Sequence, residues 1–259
     1  MKNIYLLGKK LFPICRSITG PGVRQTLKII KKEIPQLKIK SIKSGTKVFD
    51  WKVPPEWLIK DAFVMYKNKK IIDFKKNNLH LVSYSKPINK ILNKKDLYKK
   101  IYSIKNQPNA IPYVTSYYKK DWGFCLSENS LKKLNKIKDR EKFLVKINSK
   151  FKKNGVLNYG EIYIKGKSKN EILISTYICH PSMANNELSG PLVSIALAKH
   201  YIKKKNNKSI RIIFVPETIG AISYINKNFN HIKKNVIGGY ILTCIGDNKN
   251  YSYLSSKYN

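Results

Sequence analysis

The stretch EILISTYICHPSMANNELSGPLVSIALAKHYIKKK, residues 171–205, decides the fold. Its opening run, EILISTYI (171–178), is rich in β-branched residues and apolar enough for a central strand. After the polar loop around Cys179–Glu187, Leu192, Ile195, Ala196 and Ala198 recur at helical spacing. They predict an amphipathic helix over 189–205 with those residues toward the core. Outward from there the alternation continues. GEIYIKG (160–166), SIRIIFVP (209–216) and NVIGGYILTCIG (235–246) read as strands, and TIGAISYINKNF (218–229) as a helix. Apolar strands separated by helices predict an α/β fold, a mostly parallel mixed sheet with helices on both faces.

Toward the N-terminus, Leu6, Leu7 and Leu11 share one helical face. A second helix is predicted to start near Thr19-Gly20-Pro21, with Val23, Leu27, Ile30 and Ile34 at helical spacing. From about Ser44 the texture changes. SGTKVFDWKVPPEWLIKDAFVMYKNKKIIDF holds short β-branched and aromatic runs cut by Pro-Pro and Asn-Lys turns. A small β-rich unit is predicted to reach about residue 130, with a lysine-rich helix near 95–104 and an extended connector, QPNAIPY (107–113). The domain organisation read from these shifts is a discontinuous α/β domain, 1–43 and 131–259, interrupted by an inserted β-rich domain, 44–130.

With 259 residues, 42% of them hydrophobic, the chain can bury a real core and does not read as disordered. A net charge of +37 raises the question of nucleic acid. Of the 52 basic residues only Arg16, Arg24, Arg140 and Arg211 are arginines, whose planar fork specific phosphate and base recognition favours. The lysines are spread along the chain among abundant Asn and Ile, as an A/T-biased coding sequence and a solvated surface would give. No specific nucleic-acid partner is therefore expected. The opening MKNIYLLGKKLFPICRS is too short and broken an apolar run for a signal peptide. No stretch approaches the roughly 18 uninterrupted apolar residues of a membrane span, so no membrane partner is expected. Cys15, Cys125, Cys179 and Cys244 form no CxxC pair and read as reduced thiols of a cytoplasmic protein.

In sheets of this kind ligands collect at the carboxyl ends of the strands, which singles out Cys179–Gly190, Pro216–Gly220 and Thr243–Asp247. His180 offers an imidazole and Glu187 a carboxylate near a helix start. Asn185 and Asn186 lack charge and are poor zinc ligands, but suit hydrogen bonds to a substrate. Glu217 follows Pro216 at a helix N-terminus, where the dipole favours its ionised form, and Asp247 stands at the third strand end. Such a set could hold zinc, with Glu217 taking a proton as water attacks a carbonyl. Each residue also has a plain structural reading: His180 as a hydrogen-bonded loop residue, the glutamates as caps, Asp247 as a turn residue. His80, His200 and His231 read as structural. A Cys179–His180 nucleophile pair is disfavoured, because neighbours along a strand point to opposite faces.

At these residues a resemblance enters. LFPICRSITGPGVRQTL, SGTKVFDWKVPPEW, NLHLVSYSKPI, AIPYVTSYYKKDWGFC, STYICHPSMANNELSGP, FVPETIGAISY and LTCIGDNKNYSYL together resemble a bacterial aminopeptidase-like family often found beside polysaccharide-biosynthesis genes. That family is similar in fold to zinc aminopeptidases and glutaminyl cyclases and carries an inserted β-rich domain. The resemblance implies a site with one zinc ion. His180 falls where the aminopeptidases have a zinc-ligand histidine, and Glu217 where they have the general base. Asn185 and Asn186 fall on a stretch that carries aspartates there, leaving Glu187 as the carboxylate within reach and a second possible ligand. Thr218 and Thr243 fall on further ligand positions, so two metal ions are not expected. Family members continue past this chain's end, into a last histidine ligand and a winged-helix domain, so a chain closing on YSYLSSKYN reads as C-terminally truncated. The function implied is a zinc-dependent aminopeptidase-like metallohydrolase acting on a peptide or amide bond, linked to surface-polysaccharide biosynthesis. The alternative is an inactive, truncated binding protein on the same fold. A nucleic-acid binder, resting on charge and on the winged-helix domain of family members that this chain does not contain, is the third.

Overall fold

Two helices come first, α1 (Lys2–Leu11) and α2 (Pro21–Glu33), followed by β1 (Lys38–Lys43). The β-rich region brings β2 (Lys47–Val48), β3 (Trp51–Lys52), β4 (Glu56–Tyr66), β5 (Lys69–Asp73), a 3-10 turn (Asn78–His80) and β6 (Ile88–Asn93). Then come α3 (Lys94–Tyr98), β7 (Ile101–Tyr102), β8 (Phe124–Cys125), α4 (Glu128–Asn135) and β9 (Lys142–Lys152). The last run is β10 (Val156–Ile164), β11 (Ser168–Tyr177), α5 (Asn185–Ile202), β12 (Lys208–Val215), α6 (Ile219–Asn235) and β13 (Val236–Ile241). The structure is a computed structural model that describes residues 2–250 and 252–256. Met1, Tyr251 and residues 257–259, which include the end of YSYLSSKYN, lie outside it.

The main sheet has the order β1-β10-β12-β11-β13. β11 runs parallel to β12 and β13, while β10 is antiparallel to β1 and β12. Four of the five strands therefore point one way and β10 opposes them, which is the mostly parallel mixed sheet the sequence predicts. Alternate residues of β10, β11 and β12 feed two cores. Ile162, Ile174, Ile212 and Phe214 pack with Leu7 and Leu11 of α1, Leu27 and Ile30 of α2, and Ile195 and Ala198 of α5. Tyr159, Ile213 and Val215 face the other way, onto Ile219 and Tyr224 of α6 and the β-rich layer. Helices thus lie on both faces.

The helical spacing read from α2 holds in full: Val23, Leu27, Ile30 and Ile34 are buried, each contributing about 1.5–3 kcal/mol. In α1 the apolar face is narrower than expected, because Leu6 is 55% exposed. The lysine-rich helix expected near 95–104 stops at Tyr98, where the chain turns into β7 to pair with β8. The second sheet is antiparallel, β5-β4-β9-β6. Its strand β9 pairs with both β4 and β6, although it lies past the residue-130 limit read from composition.

One buried ion network ties the main sheet to α6. Arg211 on β12 donates from Nε and Nη2 to both oxygens of Glu171 on β11, at 2.6 and 2.9 Å. Its Nη1 lies 3.1 Å from Glu161 of β10, which also accepts from Lys40 at 2.7 Å and Tyr224 at 2.8 Å. His231 of α6 stands 2.8 Å from Glu171. Burial raises the pKa of both carboxyls, but hydrogen bonds from Lys40 and Tyr224 to Glu161, and from Arg211 and His231 to Glu171, outweigh it and hold both below the ordinary 4.5. A depressed carboxylate stabilises the fold above its unfolded pKa and loses that contribution as pH falls through the folded value. Unfolding midpoints in urea are therefore expected to be flat near neutrality and to fall steeply below about pH 4.5. An acid limb that instead begins near pH 6 would contradict this.

Candidate metal centre

Because β11, β12 and β13 are parallel, their carboxyl ends share one edge of the sheet, and the three predicted segments leave from it. The loops there are strained: Ser182, Thr218 and Cys244 have φ of 48°, 57° and 52°, uncommon for residues with a Cβ. Two glycines let the helices start close to the sheet. A Cβ on Gly190 would lie 2.1 Å from the Leu242 carbonyl and 2.4 Å from Thr176 Oγ1. One on Gly220 would meet the ring of Pro216 at 2.5 Å. That is the reason for the glycine in Ser-Gly-Pro and in Pro-Glu-Thr-Ile-Gly. It presses the first turn of α5 against the end of β11, and α6 against the end of β12.

His180 and Glu217 meet in this crevice, with Nε2 and Oε2 3.0 Å apart. The histidine is buried, whereas the Glu217 side chain is half exposed. The other ring nitrogen, Nδ1, faces two oxygens: Asn186 Oδ1 at 3.0 Å and Glu187 Oε2 at 3.3 Å. Tyr113 and Tyr177 flank the imidazole, with ring centroids 4.7 and 5.3 Å away. Burial pushes the Tyr113 phenol up, and its hydroxyl lies 2.6 Å from that of Tyr117. Tyr177 is tied to Thr243 at 2.5 Å.

Glu187 is completely buried on the Nδ1 side of the ring, away from Nε2. Burial drives its carboxyl well above the usual range, against the pull of the Arg16 guanidinium. Asn185 is engaged within the protein, accepting from Gly246 N–H at 2.7 Å and donating to Asp247 at 3.1 Å. Asn186, besides facing His180, donates to Cys244 Sγ at 3.6 Å. Asp247 is a turn residue: Oδ1 accepts from the backbone of Lys249 and Asn250 at 3.0 and 3.1 Å. The Asn250 amide foremost, then that of Lys249, holds its carboxyl below the usual range.

Among the described residues the donor atoms of Cys179, His180 and Glu217 lie within 4.8 Å of one another. Neighbours 179 and 180 converge because β11 ends at Tyr177, so strand alternation no longer governs them. Cys179 is no nucleophile, however. Its thiol is fully buried, burial first and the Glu187 charge next push its pKa well above the ordinary value, and Sγ accepts from Glu217 N–H at 3.2 Å. Two residues of the site do not stand out at the three strand ends: Tyr113, in the connector 107–113, and Arg16, 164 positions before His180.

Set beside known proteins, the chain matches along nearly its whole length. The family model described as a domain of unknown function, DUF4910, covers residues 5–259. A protein of Clostridium acetobutylicum is 48% identical over 257 residues, 99% of this chain and 58% of its own length. Its name assigns it, provisionally, to polysaccharide biosynthesis and gives it an aminopeptidase-like domain. A crystal structure from that organism, named provisionally as a peptidase, matches with TM-score 0.90 and 48% identity over 95% of this chain and 57% of that one. The chain thus spans little more than half the length of these relatives. A zinc aminopeptidase from Bacillus subtilis gives TM-score 0.64 at 13% identity, covering 95% of this chain and 69% of that one, a likeness of fold alone. No helix among the described residues is long and apolar enough to cross a membrane. On this ground the chain belongs to the DUF4910 family and has a peptidase-like fold shared with zinc aminopeptidases.

Proposed function

We propose that the crevice is the site of a zinc-dependent amide hydrolase of aminopeptidase type, with His180 as a ligand of one ion and Glu217 as general base. The observation that supports this is the 3.0 Å approach of His180 Nε2 and Glu217 Oε2 at the ends of two parallel strands. An ion about 2.0–2.1 Å from Nε2 would hold its water beside the Glu217 carboxylate, within hydrogen-bond reach of a base. Bound there, zinc would polarise a carbonyl and acidify a water molecule. Glu217, half exposed, would accept the proton of that water and return it to the leaving amine. Tyr113 and Tyr177 keep bulk water from the flanks of the imidazole. The substrate is then a small peptide or amide-containing molecule in the cytoplasm, the link to polysaccharide assembly resting on the relative's name.

A second reading, a non-catalytic binding protein on this fold, is favoured by the donor count. Catalytic zinc takes three protein ligands as a rule. Here Thr218 and Thr243 bring no carboxylate, and Asn185 and Asn186 are engaged inside the protein. A survey of aminoacyl-anilide and N-acyl-amide substrates separates the two. Turnover that a chelator removes and zinc restores supports the hydrolase; zinc-loaded protein with no turnover on the panel favours the binding protein.

A further inference from the structure

Arg16 is the one fully buried arginine among the described residues, and it comes from the loop after α1 rather than from any strand end. Its Nε donates to the His180 carbonyl at 3.0 Å and its Nη1 to the Leu11 carbonyl at 2.7 Å. The same Nε lies 3.6 Å from Glu187 Oε1, and both side chains have no exposure. Glu187 in turn presents Oε2 to His180 Nδ1 at 3.3 Å.

We propose that Arg16 and Glu187 are positioning residues for His180, Arg16 fixing its backbone and Glu187 its ring. The inference rests on the reading of His180 as the zinc ligand. Stability alone does not account for the pair. A buried ion pair recovers its desolvation cost only when its remaining polar atoms are well bonded, and a well-packed apolar pair is commonly as stable. Here Arg16 Nη2 and both Glu187 oxygens lack a hydrogen-bond partner of good geometry. Asn186 by itself already offers His180 Nδ1 an acceptor at 3.0 Å. What Arg16 and Glu187 add is direction. The carbonyl of His180 is pinned to the loop after α1, the ring is bonded to Asn186 of α5 with the Glu187 carboxylate 3.3 Å from the same nitrogen, and Nε2 faces Glu217. A partner on the second nitrogen of a metal-bound histidine commonly sets ring orientation and metal affinity in this way.

The test uses Glu187→Ala and Glu187→Gln, with Arg16→Lys for the other partner, since Arg16→Ala would leave a buried carboxylate without a countercharge. Circular dichroism first selects the variants that keep the fold. Zinc affinity, measured by competition with a chromophoric chelator, is expected to weaken roughly 10–100-fold in Glu187→Ala and less in Glu187→Gln. Arg16→Lys, which keeps the charge but not the two carbonyl contacts, is expected to weaken it as well. In metal-free protein, carbon-13 relaxation of the His180 ring is expected to report order matching the backbone in the wild type and ring motion in Glu187→Ala. A folded Glu187→Ala with unchanged zinc affinity and an equally ordered ring overturns the proposal. If the wild type itself takes up no zinc, the hydrolase reading fails, and the ring measurement alone then decides the positioning role.

Discussion

Replacing Arg211 by Met lowers the unfolding free energy by about 3–5 kcal/mol at neutral pH. The side chain satisfies two carboxylates at once, Glu171 through two hydrogen bonds and Glu161 through a third contact. Those glutamates are only 2% and 5% exposed, so without the guanidinium they stay buried and short of countercharge. Burial alone would lower the pKa of Arg211, and the hydrogen bond to Glu171 together with the charges of Tyr224, Glu161 and Glu171 more than reverses that. For a chain of this size the loss is worth about 10 °C in the melting temperature. Arg211→Lys should fall in between, since an ammonium cannot bond Glu171 with two parallel donors. The difference between Met and wild type is also expected to shrink below about pH 4, where protonation removes the charges the arginine was balancing. A loss under about 1 kcal/mol would show that the network is relaxed by water or by His231 and Lys40 alone.

Glu217→Gln is expected to reduce turnover of an amide substrate by about 10²–10⁴-fold while leaving zinc content as it was. The substitution keeps size and a hydrogen-bonding oxygen but cannot take up a proton. The neighbouring backbone should not move, because the Glu217 amide is anchored on Cys179 Sγ and the turn is held by Gly220 against Pro216. Loss of zinc in step with activity would make Glu217 a ligand instead of the base and contradict the role given to it.

Much of the fold could be read locally, because the elements that build the site are strongly periodic. Strands expected at 160–166, 171–178 and 209–216 lie within a few residues of β10, β11 and β12, and the helices after them follow. The expected 235–246 strand ends at Ile241, where the turn through Cys244 takes over. Direction was not legible: β10 has the same apolar texture as its neighbours, and nothing local tells a strand which way to run. Nor was the reach of β9, since its pairing with β4 joins residues nearly a hundred apart, Glu56 with Lys152.

At the site, His180 and Glu217 could be placed from the rule that strand ends meet, but Arg16 and Tyr113 could not, because only tertiary packing brings them there. One signal was available for Arg16. In a chain that uses lysine for nearly every positive charge, four arginines stand out. Arg16 is enclosed by Glu187 and two backbone carbonyls, Arg211 by Glu161 and Glu171, and Arg24 lies 2.6 Å from Glu56. Where one cation must bond several fixed oxygens in a dry setting, a lysine does not substitute.

The zinc-hydrolase role turns on whether His180 holds a metal. Metal-stripped chain titrated with zinc in a calorimeter is expected to bind about one ion per chain, and His180→Ala to lose at least about tenfold in affinity with its fold intact. Fewer than about 0.1 zinc per chain at saturation, or equal binding by His180→Ala, would contradict it.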